Sequence, residues 1–145
     1  MDWNDVPKTF GLCTVADCPV CSTCLRYLAA PLLPEEPLQW FFVNPALTRQ
    51  RSAEGCPVYA DATPKRIAYG FIGALNTIAL GQVPMVREAI MREFDIRRST
   101  FFQMRRGFRS LNPDEQERIA AILVRFGAKE PVAFDDYREE IYWPL

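Results

Sequence analysis

The sequence predicts a mainly α fold with a small cysteine-rich α+β module at its N-terminus. Residues 86–127 have the apolar periodicity and the end signals of three consecutive helices. Four of the five cysteines lie within residues 13–24, and residues 38–43 are rich in aromatic side chains, as is typical of a strand. We therefore expect a cysteine-rich module with one or two short strands in residues 1–64 and a helical region with a docked aromatic tail in residues 65–145.

Composition restricts the functions that the chain can have. Its 145 residues are 49% hydrophobic and 24% charged, which supplies enough apolar surface for an ordinary globular core. Histidine is absent, so Ser-His-Asp catalysis, Cys-His catalysis and metal binding by imidazole are excluded. Neither a pair of carboxylates spaced for acid–base chemistry nor a glycine-rich phosphate loop occurs, and we expect no enzymatic activity.

The apolar and N-terminal segments predict a cytoplasmic protein without a membrane partner. No run of about 18 apolar residues is present, and the acidic N-terminal segment lacks the order of a secretory signal. In the cytoplasm the five cysteines should stay reduced unless a metal ion holds them.

The cysteines carry the densest chemical signal in the sequence. Cys18, Cys21 and Cys24 have C-x2-C-x2-C spacing, Cys13 precedes them, and Cys56 follows after a gap. This spacing is typical of iron–sulfur ligands, but three or four thiolates in a tight loop bind zinc equally well. Either metal requires thiolates, whose pKa a bound cation lowers. A set of small buried residues without a metal is the third interpretation.

The N-terminal module is predicted to contain one short helix and two strands. The helix covers residues 24–30 and ends before Pro31, because proline cannot continue it. The aromatic strand covers residues 38–43. A second short strand in residues 56–59 should bring Cys56 back towards the other cysteines.

Trp40, Phe41 and Phe42 place at least one large ring on each face of the predicted strand. A face that no other part of the chain covers is a surface for another protein. A protein–protein interaction module without a nucleic-acid role is therefore an alternative function.

The helical region is predicted to open with a helix in residues 66–80. Alternation of Ile67, Tyr69 and Phe71 also permits a strand at this point, but helix is the preferred prediction. At the other end, the aromatic tail in residues 134–143 is predicted to form one or two helical turns.

The three central helices are predicted from their apolar stripes and their ends. The first has apolar side chains at helical spacing, and the third opens with Asn112 as its cap, followed by a proline. The second, residues 98–106, should end at Gly107, which favours a left-handed cap. We expect Phe101 and Met104 to be its buried side chains.

A helix, a short turn and the segment RRSTFFQMRRG follow one another within residues 83–127. These features resemble the helix-turn-helix of phage-repressor-like DNA-binding proteins. The five apolar positions of that motif are filled by Ile90, Phe94, Ile96, Phe101 and Met104. The resemblance implies a helix-turn-helix-like arrangement in the C-terminal half, with double-stranded DNA as a partner and the second helix in the major groove.

Positive charge is concentrated on that second helix. From Arg97 to Arg109 there are five arginines and no acidic residue, although the net charge of the chain is -1. Such a patch attracts a polyanion even when the net charge is near zero. On DNA, arginine can pair with guanine and Gln103 with adenine, while the remaining arginines contact phosphates. The predicted nucleic-acid-binding residues are Arg97, Arg98, Ser99, Gln103, Arg105, Arg106 and Arg109.

A series of short motifs also runs along the whole chain: DWNDVPKTF, C-x4-C-x5-C before LRYLA, GCPVY, LNPDEQERI and a terminal FDDY…YW. Together they resemble a family of small bacterial proteins of unknown function. The resemblance implies that the metal-binding cysteines are Cys13, Cys18, Cys24 and Cys56, with Cys21 as an extra thiol. That set departs from the ferredoxin spacing, so it favours zinc, or a purely structural cluster, over an iron–sulfur cluster.

These observations lead to one hypothesis with two alternatives. The hypothesis is a DNA-binding or regulatory protein with a structural metal-binding cysteine cluster. The alternatives are a protein–protein interaction module and an iron–sulfur or redox-sensing protein.

Overall fold

The computed structural model describes residues 1–36, 39–46 and 55–144, and it has an α+β fold. The predicted mainly α class is wrong, because a three-stranded antiparallel sheet lies within the region predicted to be helical. The chain divides into two compact units, which are Lys65–Glu140 and Met1–Pro64 together with Ile141–Leu145. The helices and strands with defined bounds are α1 (Leu25–Ala29), α2 (Ile72–Leu75), α3 (Val83–Glu93), α4 (Arg98–Arg105), α5 (Pro113–Arg125), β1 (Lys65–Tyr69), β2 (Ser110–Leu111) and β3 (Asp136–Glu140).

The sheet of the unit Lys65–Glu140 has the strand order β2-β1-β3. In its register, Ala68 lies opposite Leu111 of β2 on one side and Tyr137 of β3 on the other. The helix predicted for residues 66–80 is therefore wrong over its first part, which is the central strand. Strand pairing on both sides satisfies the backbone of β1, and this long-range pairing overrides the local helical pattern.

The predicted helical tail is also wrong, because Asp136–Glu140 forms β3 and pairs with β1 along its length. The turn that precedes α2 is closed by Asp135. Its carboxylate accepts hydrogen bonds from the backbone N–H groups of Ile72 at 2.7 Å and Gly73 at 2.8 Å. Gly70 ends β1 with a φ of 73°, and a Cβ there would lie 2.7 Å from an oxygen of the same carboxylate.

The three central helices form where the sequence predicts them. The side chain of Asn112 accepts from the backbone of Glu115 at 2.9 Å, and the Glu115 carboxylate accepts from the backbone of Asn112 at 3.0 Å, which closes a capping box on α5. Helix α4 buries Phe101 and Met104, as predicted, and Gly107 follows it with a φ of 78°.

The helix-turn-helix-like arrangement predicted for residues 83–127 is not shown by the structure. Helices α3, α4 and α5 share one buried core with the sheet residues Ala68 and Leu111, so they belong to an α+β unit and not to an all-helical motif. Asp95 lies in the turn after α3 and adopts a left-handed φ of 49°, which is uncommon for a residue other than glycine.

The unit formed by Met1–Pro64 and Ile141–Leu145 has little regular structure in its described residues. Helix α1 confirms the helix predicted for residues 24–30. Of the strand predicted for residues 38–43, residue 38 lies outside the described residues, and residues 39–43 contribute only an isolated bridge between Leu12 and Phe42. Residues 56–59 form a turn, closed by the Tyr59 amide on the Cys56 carbonyl at 3.1 Å, and not the predicted strand.

The core of this unit is a small cluster around Phe10. The indole of Trp143, from the C-terminal segment, meets the Phe10 ring edge-on with centroids 4.8 Å apart. The Arg26 guanidinium lies 4.5 Å from the same ring and donates to the carbonyl oxygens of Gly11 at 2.7 Å and Val58 at 2.8 Å. Arg26 therefore joins the segments that carry Cys13 and Cys56. Across the described ranges, no helix has both the length and the apolar character needed to cross a bilayer.

Candidate functional site

The five cysteines line one small cavity in the N-terminal unit. The cavity has a volume of about 10 Å³, which is the space that one water-sized sphere occupies. Its remaining lining comes from Val15, Val20, Arg26, Tyr27 and Val58. The fold thus brings the remote Cys56 beside the cysteines of residues 13–24, as the sequence predicts.

Short backbone hydrogen bonds place the cysteines around this cavity. The Cys13 amide donates to the Arg26 carbonyl at 3.0 Å. The Cys21 amide donates to the Cys18 carbonyl at 3.1 Å, and the Cys24 amide donates to the Cys21 carbonyl at 3.2 Å, so two successive turns link these three cysteines. Cys56 begins the turn that ends at Tyr59. The Tyr59 hydroxyl lies 3.1 Å from the hydroxyl of Thr23, so this turn is tied to the segment that carries Cys21 and Cys24.

All five cysteines have free thiols. The pKa of the Cys13 thiol is affected by three of the others. Burial is the largest cause that raises the pKa of the Cys13 thiol, while a hydrogen bond from the Val15 backbone lowers it. The charges of Cys24, Cys18 and Cys56 raise this pKa further. These are the three partners of Cys13 in the ligand set that the family resemblance implies. The fifth thiol, Cys21, lies 3.6 Å from the Ala16 carbonyl oxygen, to which it donates.

The thiols share a cavity but are not arranged as a finished coordination sphere. Among residues 1–36, 39–46 and 55–144, no three or more Cys, Asp or Glu side chains are grouped closely enough to hold a metal ion as they stand. Any ion in the cavity would have to draw the sulfur atoms together.

The predicted nucleic-acid-binding residues lie on or next to α4, and four of these arginines, two within the helix and one at each end, form a second candidate site. Arg98, Arg105 and Arg106 surround the half-buried Phe102, with guanidinium-to-centroid distances of 5.6, 5.8 and 6.0 Å. Ser99 and Gln103 are exposed. We call Arg97, Arg98, Arg105 and Arg106 the arginine surface.

The arginine surface differs from Arg109 and Arg118 of the same unit, which have acidic partners. Arg66, Arg92 and Arg125 resemble the arginine surface in having none among the described residues. Arg109 pairs with Glu115 at 2.9 Å, and Arg118 pairs with Glu93 at 2.9 Å. Within the described part of the chain, none of the four arginines of the surface forms an ion pair, and the buried Nε of Arg105 has no hydrogen-bond partner. Arg109, predicted to contact phosphate, is thus engaged elsewhere, whereas the arginine surface is available to an anion.

Several large apolar side chains are exposed in both units. Phe108, in the turn after α4, is 79% exposed, and sequence reasoning missed it. The signal that could have found it is its position directly after the helix-ending Gly107, between Arg106 and Arg109. In the N-terminal unit, Phe41 and Phe42 are 63% and 49% exposed, so the predicted protein-interaction surface keeps its support.

A larger cavity of about 300 Å³ lies between α2 and residues 128–135. Its one acidic side chain, Asp135, is already occupied by the two backbone amides of α2. We therefore assign no chemistry to this cavity.

The fold and the cavity define an α+β protein with a cysteine-rich N-terminal unit. The chain belongs to the family of unknown function DUF6078, whose sequence pattern matches residues 1–143. The whole-chain resemblance is therefore confirmed, whereas nothing in the comparisons supports the helix-turn-helix resemblance. Comparison with curated proteins and with solved structures gave no match.

Proposed function

We propose that the N-terminal unit is a metal-binding module that holds one structural zinc ion through the thiolates of Cys13, Cys18, Cys24 and Cys56. The observation that carries this proposal is that all five cysteines line the same cavity, although four come from residues 13–24 and Cys56 from a remote part of the chain. Four thiolates around one tetrahedral ion form a closed site without an open position, so the role of the metal is structural and not catalytic.

The ligand set favours a single ion over an iron–sulfur cluster. Cys13, Cys18, Cys24 and Cys56 do not have the ferredoxin spacing, whereas four thiolates suit one tetrahedral zinc ion. The raised pKa of the Cys13 thiol has a further consequence. Because binding must displace the thiol protons, the affinity for zinc should fall as the pH is lowered.

Elemental analysis of the full chain, purified without added metal, tests this proposal. We expect about one zinc per chain in the wild type and in Cys21→Ser, and much less in Cys13→Ser, Cys18→Ser, Cys24→Ser and Cys56→Ser. Zinc that is absent from the wild type, or equally present in all five variants, would contradict the proposal. A brown protein that contains iron would instead establish the iron–sulfur alternative.

The second candidate function is nucleic-acid binding by the arginine surface, and it requires no helix-turn-helix. The specific observation in its favour is that four clustered arginines lack acidic partners among the described residues. Guanidinium groups form charge-assisted hydrogen bonds with phosphate oxygens, and a polyanion would neutralise the whole cluster at once.

A salt titration of duplex DNA binding tests this second function. Removing two phosphate contacts with Arg98→Ala and Arg106→Ala should weaken binding and reduce the slope of log K against log salt by about two. The matched control removes two positive charges at the C-terminal end of α5, with Arg125→Ala and Lys129→Ala, and should leave the slope near that of the wild type. Equal slopes in the two double variants would show that only net charge matters.

A further inference from the structure

Phe108 is displayed by a turn whose geometry is fixed by its neighbours. Its amide donates to the Gln103 carbonyl at 2.9 Å, and the next amide, of Arg109, donates to the same oxygen at 3.2 Å. Gly107 precedes it with a φ of 78°, and a Cβ on Gly107 would lie 3.3 Å from the backbone nitrogen of Gly70. A frayed segment would lack these contacts. The turn after α4 packs against the end of β1, and it therefore holds the Phe108 ring in an exposed position.

The surroundings of Phe108 are cationic. Arg106, two residues before it, is exposed, and from Arg97 to Arg109 the chain has no acidic residue. Two acids lie near this segment. Glu115 is occupied by Arg109 at 2.9 Å. Asp135, whose carboxylate lies near the Arg105 carbonyl beside Gly70, accepts from the amides of Ile72 and Gly73. A ligand for this region should therefore combine negative charge with a flat apolar face.

Single-stranded nucleic acid has this combination, because its phosphates are anionic and its bases are free to stack on an aromatic ring. In a duplex the faces of the bases are covered by their neighbours, and a surface ring gains nothing from them unless a base is unstacked. An acidic peptide would satisfy the arginines but would not account for the exposed ring.

We infer that the arginine surface binds single-stranded nucleic acid, with one base stacked on Phe108 and the adjacent phosphates held by Arg98, Arg105 and Arg106. This inference rests on the proposed nucleic-acid-binding function and names its substrate class. The half-buried Phe102 keeps the guanidinium groups in place, because they lie against its ring.

Fluorescence anisotropy with two labelled probes tests the inference on the full chain. The probes are an oligothymidylate of about twelve nucleotides and a duplex of the same length. We expect the single strand to bind at least about tenfold more tightly than the duplex. Phe108→Ala should weaken single-strand binding about tenfold or more, whereas Phe108→Trp should retain it, because stacking needs only an aromatic face. Leu80→Ala, which removes an 89% exposed apolar side chain from another part of the same unit, is the control and should have no effect.

The outcomes distinguish failure of this inference from failure of the proposed nucleic-acid-binding function on which it rests. Duplex binding as tight as single-strand binding, with no effect of Phe108→Ala, would overturn the inference and leave nucleic-acid binding in place. If neither probe binds at low salt, both are overturned. Polyglutamate that competes as well as oligothymidylate would overturn the stacking contact and favour an acidic protein partner.

Discussion

The unit Lys65–Glu140 has fifteen side chains in its buried core, whereas the corresponding cluster in the unit of Met1–Pro64 and Ile141–Leu145 contains six among its described residues. The first unit also contains three helices of eight or more residues and a sheet. The second has one five-residue α-helix and three 3-10 turns with defined bounds. Small units with little apolar core usually need a disulfide or a metal ion to fold. The proposed zinc ion would supply this stabilisation to the unit with the smaller core.

The largest expected effect comes from removing the proposed zinc ion. With a strong chelator, the amides of Cys13 and Leu25, which donate to Arg26 and Ala60, should exchange with solvent at least about a hundredfold faster. The amides of α5, in the other unit, should keep their rates. Hydrogen exchange followed by mass spectrometry measures both at once, and added zinc should restore the slow rates. Unchanged exchange in both units would remove the proposed difference between them.

The next effect compares one buried phenylalanine from each core. Phe10 and Phe101 are 1% and 2% exposed, so Phe→Ala at either site should cost about 3–5 kcal/mol of unfolding free energy. Phe101→Ala should lower the stability of its unit by that amount, with or without chelator. Phe10→Ala removes the centre of a much smaller core, so this unit should unfold as soon as the proposed zinc ion is removed. Urea unfolding with and without chelator measures the difference, and an equal response of the two variants to chelator would contradict it.

A smaller effect is expected at the two capping boxes, one in each unit. Asn112→Ala removes the cap of the thirteen-residue helix α5 and should cost about 1 kcal/mol in urea unfolding. The other box, Asp2 with Asp5, caps a three-residue 3-10 helix at the exposed N-terminus. Asp2→Ala should therefore change stability by no more than a few tenths of a kcal/mol. Equal losses at the two caps would mean that the N-terminal unit is more cooperative than its small core suggests.

The smallest effect concerns the alkaline stability of the sheet. The Tyr69 hydroxyl donates to the Glu140 carboxylate at 2.6 Å, and burial followed by this hydrogen bond raises the pKa of Tyr69. The folded state thus holds the tyrosine proton more tightly than the unfolded chain. The resulting stability is complete below the unfolded pKa of about 10 and is lost as the pH rises through the folded pKa.

Tyr69→Phe should therefore flatten the decline in stability of the unit Lys65–Glu140 above about pH 10. Urea midpoints measured between about pH 8 and 11 give the two profiles. Tyr59→Phe, in the other unit, is the control and should leave the profile of the sheet unit as in the wild type. If the decline in stability seen in the wild type persists in Tyr69→Phe, a group other than Tyr69 causes it.

Helices were predictable in this chain where their signals are local. The Asn112–Pro113 start of α5 and the Gly107 end of α4 depend on residues within one turn, and the structure has both. The cysteine spacing was visible in the same way. By contrast, β1 was predicted as a helix, because apolar residues in 66–80 fit a helical period. Its strand partners lie about 40 and 70 residues further along the chain.

By itself, the sequence determined the three central helices, the burial of Phe101 and Met104, the grouping of cysteines along the chain and the membership of the family. Only the tertiary structure decided that residues 65–69 and 136–140 are strands, since a strand is stabilised by partners that no local window contains. It likewise decided which arginines are available to a ligand. Arg98 and Arg109 both lie in the arginine-rich segment. Only Arg109 pairs with Glu115, because the turn into α5 places the Glu115 carboxylate beside it.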